Sequence, residues 1–126
     1  MYSLKVISNF AAAHRLRNHH GKCEALHGHN WRVEVKVKAN DVEKNGMVID
    51  FSKLKSILEQ CLDGLDHCYL NEIPLFDKEN PTSELIAHYI FYKIKDKLPH
   101  KVSVSEVSVW ESENTCAIYW EKKGSL

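Results

Sequence analysis

Apolar side chains fall at Tyr2, Leu4, Val6 and Phe10, and again at Trp31, Val33, Val35 and Val37, where Arg32, Glu34, Lys36 and Lys38 occupy the alternate positions. A period of two is the mark of a strand with one face buried and the other solvated, so the two segments predict half-buried antiparallel strands. After a turn over residues 41–46 the period changes. Asp50 and Ser52 are both good helix caps, and Leu54, Ile57, Leu58, Cys61, Leu62 and Leu65 recur at helical spacing, predicting a first helix over 52–64. An irregular stretch, 66–79, leads to Asn80-Pro81-Thr82-Ser83-Glu84, a helix start with proline near the first turn and hydroxyl caps. Leu85, Ile86, Tyr89, Ile90, Ile94 and Leu98 follow, and this second helix is predicted to end at Leu98-Pro99. In the tail, Val107, Val109 and Glu111 share a strand face, Ser112-Glu113-Asn114 forms a turn, and Cys116, Ile118 and Trp120 make a returning strand. Val102 and Val104 have the opposite parity to Val107 and Val109, which predicts a bulge near Ser105-Glu106.

The order ββααββ fits an α+β fold: a four-stranded antiparallel sheet with both helices packed on one face. The 126 residues read as a single domain, 1–126, long enough to bury roughly two-thirds of the surface its unfolded chain exposes. The 17 basic and 17 acidic side chains cancel, and no stretch gathers lysine and arginine on one predicted face, so the electrostatic footprint of a nucleic-acid binder is missing. A small substrate is expected. There is no apolar run long enough to span a bilayer, and the N-terminus reads as strand rather than as a signal peptide, which leads us to expect a cytoplasmic protein without a membrane partner. Cys23, Cys61, Cys68 and Cys116 form no Cys-x-x-Cys pair, and reduced thiols are expected.

The candidate chemistry is concentrated early in the chain. His27 and His29 flank Gly28 and point to one face of an extended backbone, and His14 ends the first strand segment. Three imidazoles without a fourth protein ligand are the pattern of a catalytic zinc centre, where water or substrate takes the remaining position. A lone histidine is better read as a solvated strand end; three that can converge favour a metal. Cys23 lies within the same region, in the polar, histidine-rich segment from Arg15 to Glu24 that reads as an active-site loop. A zinc ion and imidazoles nearby would depress its thiol pKa from about 8.5. Arg15, His19 and His20 are not assigned as ligands. Cys61 and Cys116 read as small buried hydrophobes, and Glu111, taken alone, as a strand-edge charge.

Six ordered motifs carry a family resemblance: Phe10-Ala11-Ala12-Ala13-His14, Cys23-x-x-x-His27-Gly28-His29, Gly46-Met47-Val48-Ile49-Asp50-Phe51, Leu65-Asp66-His67-x-x-Leu70-Asn71, Asn80-Pro81-Thr82-Ser83-Glu84 and Val109-Trp110-Glu111. Together they span nearly the whole chain. The chain resembles the 6-pyruvoyltetrahydropterin synthase family, and most closely its bacterial branch, the 6-carboxytetrahydropterin synthases of queuosine and 7-deazapurine biosynthesis. The three residues between Cys23 and His27, Glu24-Ala25-Leu26, are the spacing of that carboxy-forming branch; a longer gap resembles the pyruvoyl enzymes.

The resemblance implies a zinc-dependent lyase that converts 7,8-dihydroneopterin triphosphate to 6-carboxy-5,6,7,8-tetrahydropterin, with release of acetaldehyde and triphosphate. It implies zinc on His14, His27 and His29, and a relay of Cys23 as general base with Asp66 and His67. Glu111 becomes the pterin anchor, a carboxylate accepting two parallel hydrogen bonds from the ring edge. Thr82 and Ser83 become further polar contacts, although helix capping explains them equally well. The implied architecture is the tunnelling fold, in which sheets of three subunits close into a barrel and two trimers stack into a homohexamer with the pocket between subunits. Two rivals stand beside this reading: 6-pyruvoyltetrahydropterin synthase activity, in which only triphosphate leaves, and a non-catalytic pterin- or zinc-binding protein.

Overall fold

A computed structural model of the chain describes residues 1–17 and 25–122. Strand β1 (Tyr2–His14) pairs antiparallel with β2 (His27–Ala39) along its whole length, Phe10 opposite Trp31 and His14 opposite His27. Helix α1 (Phe51–Leu62) and a two-residue strand, β3 (Cys68–Tyr69), come next, followed by two single 3₁₀ turns, Leu70–Glu72 and Pro74–Phe76. Helix α2 (Ser83–Lys95) then leads to β4 (Ser103–Trp110) and β5 (Cys116–Tyr119). The sheet order is β3-β1-β2-β4-β5, antiparallel except where β3 runs parallel to β1 at Ala12 and Ala13.

Both helices lie against the sheet face predicted to be apolar. Val6, Phe10, Trp31, Val33, Val35, Val37, Val107 and Val109 on that face are buried, together with Leu54 and Leu58 of α1 and Ile86, Ile90 and Ile94 of α2. Trp31 is fully buried, stacks on Phe10 at 5.8 Å and donates its indole N–H to the Ala12 carbonyl at 3.2 Å. The opposite face is charged and uncovered by helices, with Lys5 and Arg32 on either side of Glu34 at 3.5 and 2.9 Å. Helix α1 starts where expected, at an Asp50 carboxylate that accepts from the Ser52 N–H at 2.8 Å. The turn before it depends on Gly46, whose φ of +84° lies in the left-handed region that glycine enters without steric cost.

The predicted bulge is present. Lys36 pairs with Glu106 and Val37 with Val104, so Ser105 is the extra residue, and its hydroxyl donates to the Lys36 carbonyl at 3.0 Å. That insertion lets valines of opposite parity enter one core. Three expectations are corrected. Two residues of the stretch read as irregular, Cys68 and Tyr69, add a short fifth strand, because it passes close enough to β1 for its backbone to pair. Helix α2 stops at Lys95, not Leu98: Pro99 disfavours a helical Leu98, and the Lys97 N–H turns back to the Ile94 carbonyl at 2.9 Å. In β5 the apolar set predicted to face inward faces outward. Ala117 pairs with buried Val109 and shares its face, whereas Cys116 and Ile118, and Trp120 beyond the strand, are exposed, so Cys116 is not a core residue.

Candidate metal centre

The hairpin register makes the site. With His14 directly opposite His27, and Ala12 opposite His29, the three imidazoles project from one end of the helix-covered face. They stand on Trp31, whose ring lies 4.9 Å from that of His14 and 5.4 Å from that of His29, both edge-on. His14 is wholly buried, and His27 and His29 are about one-quarter exposed, at 28% and 25% of their side-chain surface. Their ring nitrogens come together with a carboxylate oxygen of Glu111, all four ligand atoms within 4.8 Å of one another.

The hydrogen-bond partners decide which nitrogens face inward. His14 donates Nδ1–H to the Pro81 carbonyl at 2.8 Å, and His27 donates Nδ1–H to the Ala25 carbonyl at 2.8 Å. Each is left with a lone pair on Nε2, and these two Nε2 atoms are only 3.1 Å apart. Facing lone pairs repel unless a cation stands between them. A tetrahedral zinc with Zn–N bonds of 2.0–2.1 Å separates its ligand nitrogens by about 3.3 Å, close to the spacing found. Among the described residues His29 Nε2 is buried with no aligned hydrogen-bond partner, although Glu111 Oε1 lies 2.8 Å away. Burial pulls the His29 pKa below its ordinary value, and the neighbouring imidazoles add to the effect while Glu111 opposes it. Burial favours the neutral ring, the form in which an imidazole ligates a metal. The residues present fit a metal ion.

Glu111, which the resemblance makes the pterin anchor, stands beside the histidines. Its Oε1 lies 2.8, 3.6 and 3.8 Å from the Nε2 atoms of His29, His14 and His27. Its other oxygen, Oε2, is 3.5 Å from the Ser83 hydroxyl at the start of α2, and an open hollow of about 410 Å³ adjoins it, reaching to Thr115 and Cys116. The Thr82 hydroxyl is engaged as the cap of α2, accepting from the Leu85 N–H at 3.2 Å.

Asp66 and His67 lie outside this cluster. They sit at the edge of β1, where the Ala11 N–H donates to Asp66 Oδ1 at 2.9 Å and the His67 N–H donates to the Ala11 carbonyl at 2.6 Å. The bond from Ala11, ahead of the neighbouring His67, lowers the Asp66 pKa and keeps it a carboxylate. Asp66 Oδ1 is 3.0 Å from His67 Nδ1, and the imidazole, on a residue with φ of +57°, has 82% of its surface exposed. It borders a hollow of about 570 Å³ that is also lined by Ala13, Gly28, His29 and Asn30. Among the described residues a Cβ on Gly28 would meet nothing within 4 Å. Cys23 lies outside the described residues, as do His19 and His20. Cys61 is buried, which raises its thiol pKa.

Sequence reasoning missed three of four further contributors and named the fourth, Ser83, as a polar contact. Asn71 and Asn80 bind the backbone beyond His14, Pro81 supplies the carbonyl on His14, and Ser83 touches Glu111. The Asn71 and Asn80-to-Ser83 positions stood in recognisable motifs, but nothing in their spacing told which strand they would meet.

Known proteins resemble the chain in sequence and in fold. The 6-pyruvoyl tetrahydropterin synthase family model matches residues 3–122. The chain is 43% identical over 106 residues to the 6-carboxy-5,6,7,8-tetrahydropterin synthase of Synechocystis, covering 78% of this chain and 81% of that protein. It is 38% identical over 104 residues to the dihydroneopterin monophosphate aldolase of Pyrococcus furiosus, covering 82% and 84%. The structure of the Caenorhabditis elegans 6-pyruvoyl tetrahydropterin synthase superimposes with a TM-score of 0.86 at 29% identity, covering 96% of both chains. The chain belongs to the 6-pyruvoyl tetrahydropterin synthase family.

Proposed function

We propose that the chain is a zinc-dependent lyase that forms 6-carboxy-5,6,7,8-tetrahydropterin from 7,8-dihydroneopterin triphosphate, releasing acetaldehyde and triphosphate, in queuosine and 7-deazapurine biosynthesis in the cytoplasm. The convergence of His14, His27 and His29 beside a carboxylate carries the reading, because it offers a metal and a ring anchor in one place. The short gap between Cys23 and His27, and the name borne by the Synechocystis relative, favour the carboxy-forming reaction.

His14, His27 and His29 hold the zinc, which when bound supplies a Lewis acid to the oxygens of the substrate side chain. Glu111 accepts hydrogen bonds from the 2-amino and N3 positions of the pterin ring in the hollow beside it, with Ser83 steadying its second oxygen and Thr82 at the same helix mouth. Cys23, as thiolate, takes the proton from the side chain. His67 carries protons onward, and the Asp66 carboxylate holds its imidazole. The exposure of His67 fits a pocket completed between subunits. Two features fit a homohexamer built from trimers. Among the described residues, most of β1 has no partner on its outer side beyond its short pairing with β3, and β5 is the other edge; joining edges satisfies those backbone groups.

Two further expectations test the reading. Zinc-loaded protein given 7,8-dihydroneopterin triphosphate should yield a carboxylated tetrahydropterin and acetaldehyde by mass spectrometry. A pyruvoyl product would move it to the sister activity, turnover of dihydroneopterin monophosphate alone would favour the activity named for the Pyrococcus relative, and no turnover would leave a binding protein. Glu111→Ala should weaken pterin binding about 10- to 100-fold, the worth of charge-assisted hydrogen bonds, while zinc stays bound. Undiminished pterin affinity by calorimetry would remove the anchor role.

A further inference from the structure

Beyond His14 the chain runs on through Arg15 and Arg17, where among the described residues no strand pairs with it, yet its backbone is paired. The Asn71 carboxamide accepts from the Arg15 N–H at 2.9 Å and donates to the Arg15 carbonyl at 3.0 Å. The Asn80 carboxamide does the same at Arg17, at 2.8 and 3.0 Å. Each side chain pairs with a main-chain N–H and C=O as the peptide group of a neighbouring strand would, on residues two apart. The Arg17 guanidinium completes the lock. It donates to the carbonyls of Phe76 at 2.9 Å, Glu79 at 3.0 Å and Asn71 at 3.4 Å, tying the 71–80 segment to the same strand end.

The residue after Asn80 is the one that touches the metal centre. A Thr82 N–H to Asn80 carbonyl bond of 2.8 Å closes a γ-turn around Pro81, and Thr82 caps α2. The Pro81 carbonyl is thus held from β1 on one side and from α2 on the other, 2.8 Å from His14 Nδ1. We propose that Asn80, supported by Asn71, is a positioning residue of the metal site: its two bonds to the Arg17 peptide keep the Pro81 carbonyl on His14 Nδ1, and so fix the tautomer and aim of His14 Nε2. The proposal rests on His14 being a metal ligand. An outer partner of a ligating histidine typically changes metal affinity 10- to 100-fold when lost, and here the partner is a main-chain carbonyl that mutation can displace only through its neighbours.

Asn80→Ala removes both bonds. Asn80→Asp, nearly isosteric, keeps the acceptor for the Arg17 N–H and sets a carboxylate oxygen against the Arg17 carbonyl. In both variants, zinc affinity measured by chelator competition is expected to fall about 10- to 100-fold. The visible spectrum of the cobalt-loaded protein should change, and long-range proton–nitrogen spectra of the metal-free protein should show His14 as a tautomer mixture instead of the single Nδ1–H form. A bracing role confined to the fold would lower Tm and leave affinity, spectrum and tautomer as in the wild type, which overturns the proposal. If Asn80→Ala does not fold, Asn80→Asp and Asn71→Ala are read by the same three measurements. His27→Ala separates the failures: unaltered zinc affinity in that variant refutes the metal reading itself, whereas its loss there together with unaltered Asn80 variants refutes this inference alone.

Discussion

His27→Ala protein is expected to lose its metal and its turnover together. With His27 gone, two imidazoles remain from the histidine set, and Glu111, the nearest carboxylate, is already placed against His29 at 2.8 Å. Loss of a direct ligand should exceed the roughly 10- to 100-fold effect of losing an outer partner, so dilute protein should bind no zinc in the presence of a mild chelator. His27 is the better probe than His14. It is 28% exposed and sits at a strand end, so its truncation leaves little cavity, whereas His14 is wholly buried against Trp31 and its removal would confound metal loss with unfolding. Metal analysis and thermal denaturation on the same sample check the prediction. Full zinc occupancy in a folded variant would overturn the ligand assignment.

Cys23→Ala should leave zinc content and Tm at wild-type values and lower turnover about 10²- to 10⁴-fold, the usual contribution of a positioned acid or base. The separation of the two readouts is the point. A thiol that served as a metal ligand would take zinc with it, and one that merely filled space would change neither turnover nor metal content. The other cysteines do not substitute: Cys61 is buried and its thiol harder to ionise, Cys116 is exposed at a strand edge, and Cys68 points its Sγ to the Asp66 carbonyl at 3.3 Å. Turnover within about tenfold of wild type would exclude a general-base role.

The histidine cluster was legible because it is built on the most local of patterns. Alternation put His27 and His29 on the face of Trp31, and the parity of β1 put His14 on the face of Phe10, so once the two strands pair, the three rings must meet. Glu111 was legible as chemistry but not as a neighbour. Its approach to His29 depends on β4 lying next to β2, and on Ser105 bulging so that Val107, Val109 and Glu111 turn toward the helices. Asp66 and His67 stood out as a motif, yet their bonds to Ala11, and the exposure of His67, follow from a two-residue parallel strand too short to leave a periodic signal. In β5 the same reasoning failed. Cys116, Ile118 and Trp120 alternate like a core face but lie on the side of an edge strand that no helix covers, while the smaller set with Ala117 and Tyr119 packs inward.

By itself the sequence determined four of the five strands, the two helices with their Asp50 and Thr82 caps, the bulge and the three histidines, because period, capping and parity are properties of neighbouring residues and backbone stereochemistry. Only the tertiary structure decided that the Pro81 carbonyl would hold His14, that Asn71 and Asn80 would stand in for a strand beside Arg15 and Arg17, and that Ser83 and Glu111 would close the same site. Those contacts join segments far apart in the chain, and they arise from sheet order and from polar groups that burial obliges to find a partner.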